Sequence, residues 1–392
     1  MGNKKNAWLK FDDTKKEEIF SFCEGYKKYI SDCKTERESI KEAIFLAESK
    51  GYRDLKNVIS AGKSLKAGDK VYYNNMDKSL ALFLIGSESI ESGMRIIGSH
   101  VDSPRLDLKP NPLYEDSELS LMETHYYGGV KKYQWVTIPL ALHGVVVKKD
   151  GTKIDVVVGE EETDPVVMVS DLLVHLASEQ QQKKATEVIA GEDLNILVGS
   201  MPLEGEEKEA VKANILKLLK EKYDFEEEDF MSAEIEIVPA GKARDLGLDR
   251  SMVAGYGHDD RICAYTSLLA LLETESTKKT SVVLLVDKEE VGSIGATGMQ
   301  SRFFENAVAE LMDRVGEYSE LKLRRALANS KMLSSDVTAA FDPNYAGAYE
   351  KKNSAFFGKG LAFAKYTGAR GKSGCNDANA EFVAWLRNVM DE

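Results

Sequence analysis

The sequence predicts an α/β protein: a layered sheet with helices on both faces, interrupted by a β-rich insertion. Three observations predict it. From residue 252 onward strand-like apolar runs alternate with helical segments, as in "TSVVLLVD", "KMLSSD" and "NDANAEFVAWLRNVMDE". That rhythm is the signature of a layered α/β sheet. Before residue 105 a helical stretch leads into the runs "KVYYN", "LALFLIGS" and "MRIIGSH". Between them, at about 105–247, short β-type runs dominate, punctuated by turn signals at Pro110, Pro112, Gly128-Gly129 and Asp150-Gly151. The expected division is therefore a discontinuous α/β domain, 1–104 with 248–392, and a β-rich insertion, 105–247.

The elements follow in order. "TERESIKEAIFLAESKG" offers Thr35 with Glu38 three residues later as a capping box, apolar residues at helical spacing, and Gly51 as a stop. Acidic, Lys-rich pieces around 170–184 and 206–228 read as helices inside the insertion. Asp260 is expected to start a helix that carries Ile262, Tyr265, Leu268, Leu269 and Leu272 into a core. Another helix is expected after Gly298.

Composition excludes several classes. A net charge of −13 over 392 residues argues against nucleic acid or an anionic membrane as partner. The four cysteines, Cys23, Cys33, Cys263 and Cys375, have no close spacing, which fits reduced thiols in a cytoplasm rather than a disulfide framework. The opening "MGNKKNAWLKFDD" carries no apolar leader region, and no stretch approaches the roughly 20 apolar residues of a membrane span.

Four short stretches place carboxylates or imidazole just past an apolar run. "RIIGSHVDSP" gives His100 and Asp102, and "VAGYGHDDR" gives Asp259 and Asp260. "VVLLVDKEEVGS" gives Glu289 and Glu290, and "KMLSSDVTAA" gives Asp336. Ligands of α/β sheets bind beyond the carboxyl ends of strands, so the fold can gather all four clusters at one edge. One histidine with several carboxylates suits zinc, manganese or cobalt rather than a thiolate site. Two such ions can share a carboxylate and activate a water, and a carboxylate off the metals can take its proton. Singly, each stretch also reads blandly: a solvated Glu pair, a core histidine, a helix N-terminus with favoured acidic residues.

The stretches "IIGSHVDSPRLDLKPNPLYE", "HYYGG", "GHDDR", "DKEEVGS" and "SSDVTAAFDPNY" resemble the aspartyl aminopeptidase family, which includes vacuolar aminopeptidase I. The resemblance runs from about residue 10 to the end. It implies a zinc-exopeptidase-type sheet interrupted by a dimerisation domain, and an enzyme that removes N-terminal residues from peptides with two divalent ions, zinc above all. Carried onto matching positions, His100 and Asp336 would bind one metal, Glu290 the second, and Asp259 both. Asp102 would orient His100, and Glu289 would be the general base. His175 matches a histidine that reaches a neighbouring subunit's active site, and Lys359 a lysine that would meet an acidic substrate side chain. A homo-oligomer is implied, dimers building to a dodecamer. His258 stays outside the metal shell, because the family places Leu-type residues there.

The sequence departs from the family in two places. The family's last metal ligand is a histidine after a final strand, whereas here no histidine follows His258. The expectation is a missing C-terminal segment or, as the alternative, a degenerate member of the family, with one metal site from His100, Asp259 and Asp336, and a second reduced to Asp259 and Glu290. Ala339 and Asp342 stand where aspartyl-specific members carry histidines, so preference for acidic residues is left open. Two other readings stay open beside the aminopeptidase: another di-metal amidohydrolase, and a non-catalytic assembly subunit.

Overall fold

A computed structural model describes residues 5–367 and 377–390, which leaves Cys375 outside the described residues. In chain order the helices are α1 (Asp13–Asp32), α2 (Glu36–Ser49), α3 (Leu55–Ser60), α4 (Ala210–Tyr223), α5 (His258–Leu272), α6 (Phe303–Arg314), α7 (Glu320–Asn329) and α8 (Ala380–Met390). The strands are β1 (Arg53–Asp54), β2 (Lys70–Asn75), β3 (Ser79–Leu84), β4 (Arg95–His100), β5 (Arg105–Asp116), β6 (Leu119–Tyr127), β7 (Leu140–Val147) and β8 (Lys153–Val158), followed by β9 (Met168–Val169), β10 (Ile196–Gly199), β11 (Ala233–Pro239), β12 (Arg244–Leu246), β13 (Met252–Ala254), β14 (Ser281–Val286) and β15 (Lys331–Ser334).

The chain divides into two compact units. Residues 22–337 hold all three sheets. Residues 1–21 with 338–392 form the other, where the Ala7 N–H donates to the Gly358 carbonyl and Phe341 stacks on Phe356.

The first sheet runs β1-β2-β3-β14-β4-β15, and β14, β4 and β15 are parallel neighbours. Successive side chains of a strand point to opposite faces, so a strand buried on both sides reads as a continuous apolar run. In β3, Ala81 and Phe83 face α3, α6 and α7, while Leu80, Leu82 and Leu84 face α2 and α5. In β14, Val282, Leu284 and Val286 join the first cluster and Val283 and Leu285 the second. The mixed α/β class with helices on both faces is the one the sequence predicts. The α2 N-terminus also forms as read: Thr35 accepts from the Glu38 N–H, and Glu38 accepts from the Thr35 N–H.

The second sheet is antiparallel, in the order β8-β7-β11-β5-β6-β10-β9, over its own apolar core. Two local expectations change here. Pro110 and Pro112 do not mark turns; they lie inside β5, where pairing with β6 shifts register between Leu108 and Leu113. A proline cannot donate to the ladder, and an irregular stretch absorbs it. Residues 170–184 contain no α-helix, only a short 3-10 turn at Gln180–Gln182. Only Ala177 is buried there, so no packed face repays helix nucleation. The second expected piece is helical over Ala210–Tyr223.

Candidate metal centre

Adjacency of β14, β4 and β15 builds the site. Val286 pairs with His100 and Ser334 with Gly98, so the three strands end together. His100 closes β4, Glu289 and Glu290 open a 3-10 turn just past β14, and Asp336 lies two residues beyond β15. The fourth contribution comes from the start of α5. There Asp259 and Asp260 have non-helical backbone angles, so regular helix begins after Asp260 rather than at it. Tyr265, Leu268 and Leu272 are buried as expected, whereas Ile262 and Leu269 are half-buried and Leu271 is buried.

His100 is buried, 3% exposed. Its Nδ1 lies 3.0 Å from the Asp102 carbonyl oxygen, which can only accept, so Nδ1 carries a proton. Nε2 then faces the carboxylates: Asp259 Oδ1 at 3.1 Å, Glu289 Oε2 at 3.8 Å and Asp336 Oδ1 at 3.8 Å. Burial opposes a charge on this ring, but hydrogen bonds to Asp102, Asp259 and Asp336 outweigh it and raise its pKa to about 12. A metal ion bound at Nε2 would take the place of the proton there, because an imidazole must be neutral to coordinate.

Asp102 is fully buried behind the histidine. Its oxygens accept from the Glu289 N–H at 3.1 Å, the Glu290 N–H at 3.2 Å and the Tyr127 hydroxyl at 2.7 Å. Burial pushes its pKa up, yet bonds from His100 and Tyr127 hold it below the ordinary carboxylate value. Asp336 is lowered likewise: burial pushes it up, but the bond and charge of His100, with the Val337 N–H and Asp259, together outweigh it. Burial raises Glu289, and burial with the neighbouring Asp259 raises Glu290 to about 7.

Asp260 is the residue that sequence reasoning set aside. It is completely buried, burial lifts its pKa to about 7, and among the described residues the one donor near its carboxylate is the Cys263 thiol, a weak one. A buried, unpaired carboxylate is costly unless a cation compensates it. Two groups of three ligand atoms lie within 4.8 Å of one another: His100, Asp260 and Asp336, and His100, Asp259 and Glu290. Imidazole nitrogen with carboxylate oxygens is a donor set suited to zinc, so the residues present fit that ion. The doubled acid in "GHDDR" was the available signal for Asp260.

The remaining candidates lie elsewhere. His175 is exposed in a turn after β9 and belongs to neither ligand group. Lys359 belongs to the compact unit of residues 1–21 and 338–392. His258 donates from Nε2 to the Val253 carbonyl at 3.1 Å and accepts the Tyr26 hydroxyl on Nδ1 at 2.8 Å.

Comparison with known proteins agrees with this chemistry. The family model described as aminopeptidase I zinc metalloprotease (M18) matches residues 29–391. An M18 family aminopeptidase 1 of Clostridium acetobutylicum is 64% identical over 389 residues, covering 99% of this chain and 84% of that one. The crystal structure of an M18 family aminopeptidase from Thermotoga maritima aligns with a TM-score of 0.94 at 44% identity, over all of this chain and 85% of the other. That of aminopeptidase I from Clostridium acetobutylicum aligns with a TM-score of 0.91 at 60% identity, with the same coverage. The chain therefore belongs to the M18 family of aminopeptidase I zinc metalloproteases and is a metallo-aminopeptidase.

Proposed function

We propose that this hydrolase releases amino acids singly from peptides with a free N-terminus, and that it holds two divalent ions, zinc first, per chain. His100 and Asp336 would hold one ion and Glu290 the other, with Asp259 available to both. The observation that carries the reading is the buried His100, whose Nε2 faces carboxylates from three other chain segments. Asp260, unpaired and buried beside this group, supports a cation there.

Bound zinc supplies a water acidified toward neutrality and a Lewis acid for the scissile carbonyl. Asp102 keeps Nδ1 of His100 protonated, so that Nε2 is the ligand atom. Glu289, not needed as a ligand, takes one proton from the water whose oxygen bonds to the carbonyl carbon. As the C–N bond breaks, Glu289 passes that proton to the leaving amine nitrogen. Its raised pKa suits a group that must both accept and release a proton. The carboxylates around His100 would also meet the positive α-amino group of the substrate, which limits cleavage to the first bond.

We further infer that residues 105–247 join copies of this chain into a homo-oligomer. Leu172, Leu173, Val174 and Leu176, beside His175, are all more than half exposed in the single copy, and covering them would remove apolar surface from water. No helix among the described residues is long and apolar enough to cross a membrane, and the reduced cysteines fit a cytoplasmic setting. Elemental analysis tests the metal reading. Two zinc ions per chain, falling to one or none in Glu290→Ala, are expected. A wild-type chain that takes up no zinc would overturn it. Hydrolysis of a free peptide but not of its N-acetylated form is the matching test of substrate class.

A further inference from the structure

The strand end "HYYGG" belongs to the second sheet, yet it reaches the metal centre. Tyr127 closes β6, and its hydroxyl donates to Oδ2 of Asp102 at 2.7 Å. Among the described residues, Asp102 is otherwise held by groups of the first sheet and its loops. Oδ1 takes the Glu289 N–H and lies 3.3 Å from His100 Nδ1, and Oδ2 takes the Glu290 N–H. A carboxylate offers about four acceptor positions, so the Tyr127 hydroxyl completes the set. Burial and the adjoining Asp102 carboxylate raise the phenol pKa, so the hydroxyl keeps its proton and donates.

The ring itself is held in place. Arg105, paired with Tyr127 across β5 and β6, lies with its guanidinium carbon 3.9 Å from the ring centroid. Arg105 is buried and tied to Asp107 at 2.8 Å, Glu236 at 3.2 Å and Glu36 at 3.3 Å, which leaves it little freedom. Stacking of this kind contributes most when the cation is desolvated. The next residue, Gly128, has φ of 71°, and a Cβ there would stand 3.2 Å from the Glu290 Cβ. The same strand end therefore closes on Asp102 with a hydroxyl and on Glu290 with bare backbone.

We propose that Tyr127 is a positioning residue of the metal centre. It fixes the Asp102 carboxylate, and through it both the His100 ring and the turn that carries Glu289 and Glu290. The second sheet then takes part in the reaction without touching substrate. This inference rests on the metal-centre reading above.

Tyr127→Phe removes the hydroxyl and keeps the ring over Arg105. Zinc affinity measured by chelator competition is the first readout, because partners behind a metal ligand typically change affinity about 10–100-fold. We expect weakening in that range, a fall in kcat with KM nearly unchanged, and a thermal midpoint of the metal-free protein close to wild type. Zinc affinity within twofold of wild type would overturn the proposal, as would a lowered midpoint with affinity unchanged, the mark of a packing role. A double-mutant cycle adds a second check. In an Asp102→Asn background, Tyr127→Phe should cost little further affinity; a full additive loss would mean that Tyr127 acts by another route. His100→Ala separates the two levels. If wild type and His100→Ala bind zinc alike, the metal centre itself is misassigned. If only His100→Ala loses zinc and Tyr127→Phe does not, only the role of Tyr127 falls.

Discussion

Glu290 donates its backbone N–H to Asp102 at 3.2 Å, the same carboxylate that stands 3.3 Å behind the His100 ring. The adjacent acidic pair is thus anchored through main chain rather than through its side chains. Glu289 does the same at 3.1 Å, which leaves both carboxylates unspent at the mouth of the site. Two neighbouring Glu residues at a strand end make physical sense once the turn is pinned by backbone and the side chains are reserved for cation and proton chemistry.

Glu289→Gln should separate proton transfer from metal holding. A general base of this kind contributes about 10²–10⁴-fold, so kcat should fall by that factor while zinc content stays at the wild-type value. Loss of zinc together with activity would move Glu289 into the ligand set. Steady-state kinetics and elemental analysis on one preparation decide between them.

Stripping the metal should abolish hydrolysis and lower the thermal midpoint, and zinc should restore both. Asp260 and the carboxylates around His100 are the groups left uncompensated without the ion. At free zinc 100 times its Kd, binding adds about 2.7 kcal/mol of stability. Thermal scans across a zinc titration measure the shift directly. A midpoint that does not respond to zinc would contradict the role given to Asp260.

A second histidine governs stability rather than chemistry. His143 is buried between Glu38 at 2.8 Å and Glu160 at 2.9 Å. Burial opposes its charge, but hydrogen bonds to Glu160 and Glu38 raise its pKa above the ordinary 6.5. A raised histidine contributes fully below 6.5 and loses that contribution as pH rises through its folded-state value. Burial raises Glu38 and Glu160, but His143 together with the Lys34 and Thr35 N–H groups at Glu38, and with the Lys34 ammonium at Glu160, lowers both from 4.5, so their contribution is lost as pH falls below that value. His143→Leu should therefore cost most between about pH 5 and 6.5, on the order of 3 kcal/mol, and progressively less on either side. Urea midpoints at pH 4, 6 and 9 give the profile; a cost independent of pH would assign the effect to packing.

The first sheet's helical cover depends on aromatic contact. Phe83 is fully buried and stacks on Phe304 of α6, with centroids 6.4 Å apart. Phe83→Ala should destabilise the fold by about 3–5 kcal/mol through lost burial and the cavity left behind. Chemical denaturation of the metal-free protein measures it free of any contribution from zinc binding.

Much of this architecture was legible locally. The capping box at Thr35 needs only two side chains three residues apart, and it forms. The unbroken apolar runs of β3 and β14 announced a strand covered on both faces, because period-two alternation leaves no polar side to expose. Each chemical cluster follows its strand end at short range, so residues 100, 259, 289 and 336 stood out before any fold was known.

What the chain could not announce was which distant segments would meet. That β14, β4 and β15 lie side by side, with the start of α5 against their ends, is a matter of long-range packing, and it makes four scattered clusters one site. Burial decided the rest. Asp260 looked like a helix start and proved to be an unpaired interior carboxylate, a difference set by desolvation and not by local sequence. Pro110 and Pro112 looked like turns but lie in a strand whose neighbour accommodates a register shift. Tyr127 stood in the stretch "HYYGG" with no role of its own; its hydroxyl matters because the second sheet brings it within 2.7 Å of a carboxylate from the first sheet's edge. Local propensity and pattern act over a few residues, whereas burial and hydrogen-bond completion depend on everything that packs around a group. Those the tertiary structure decides.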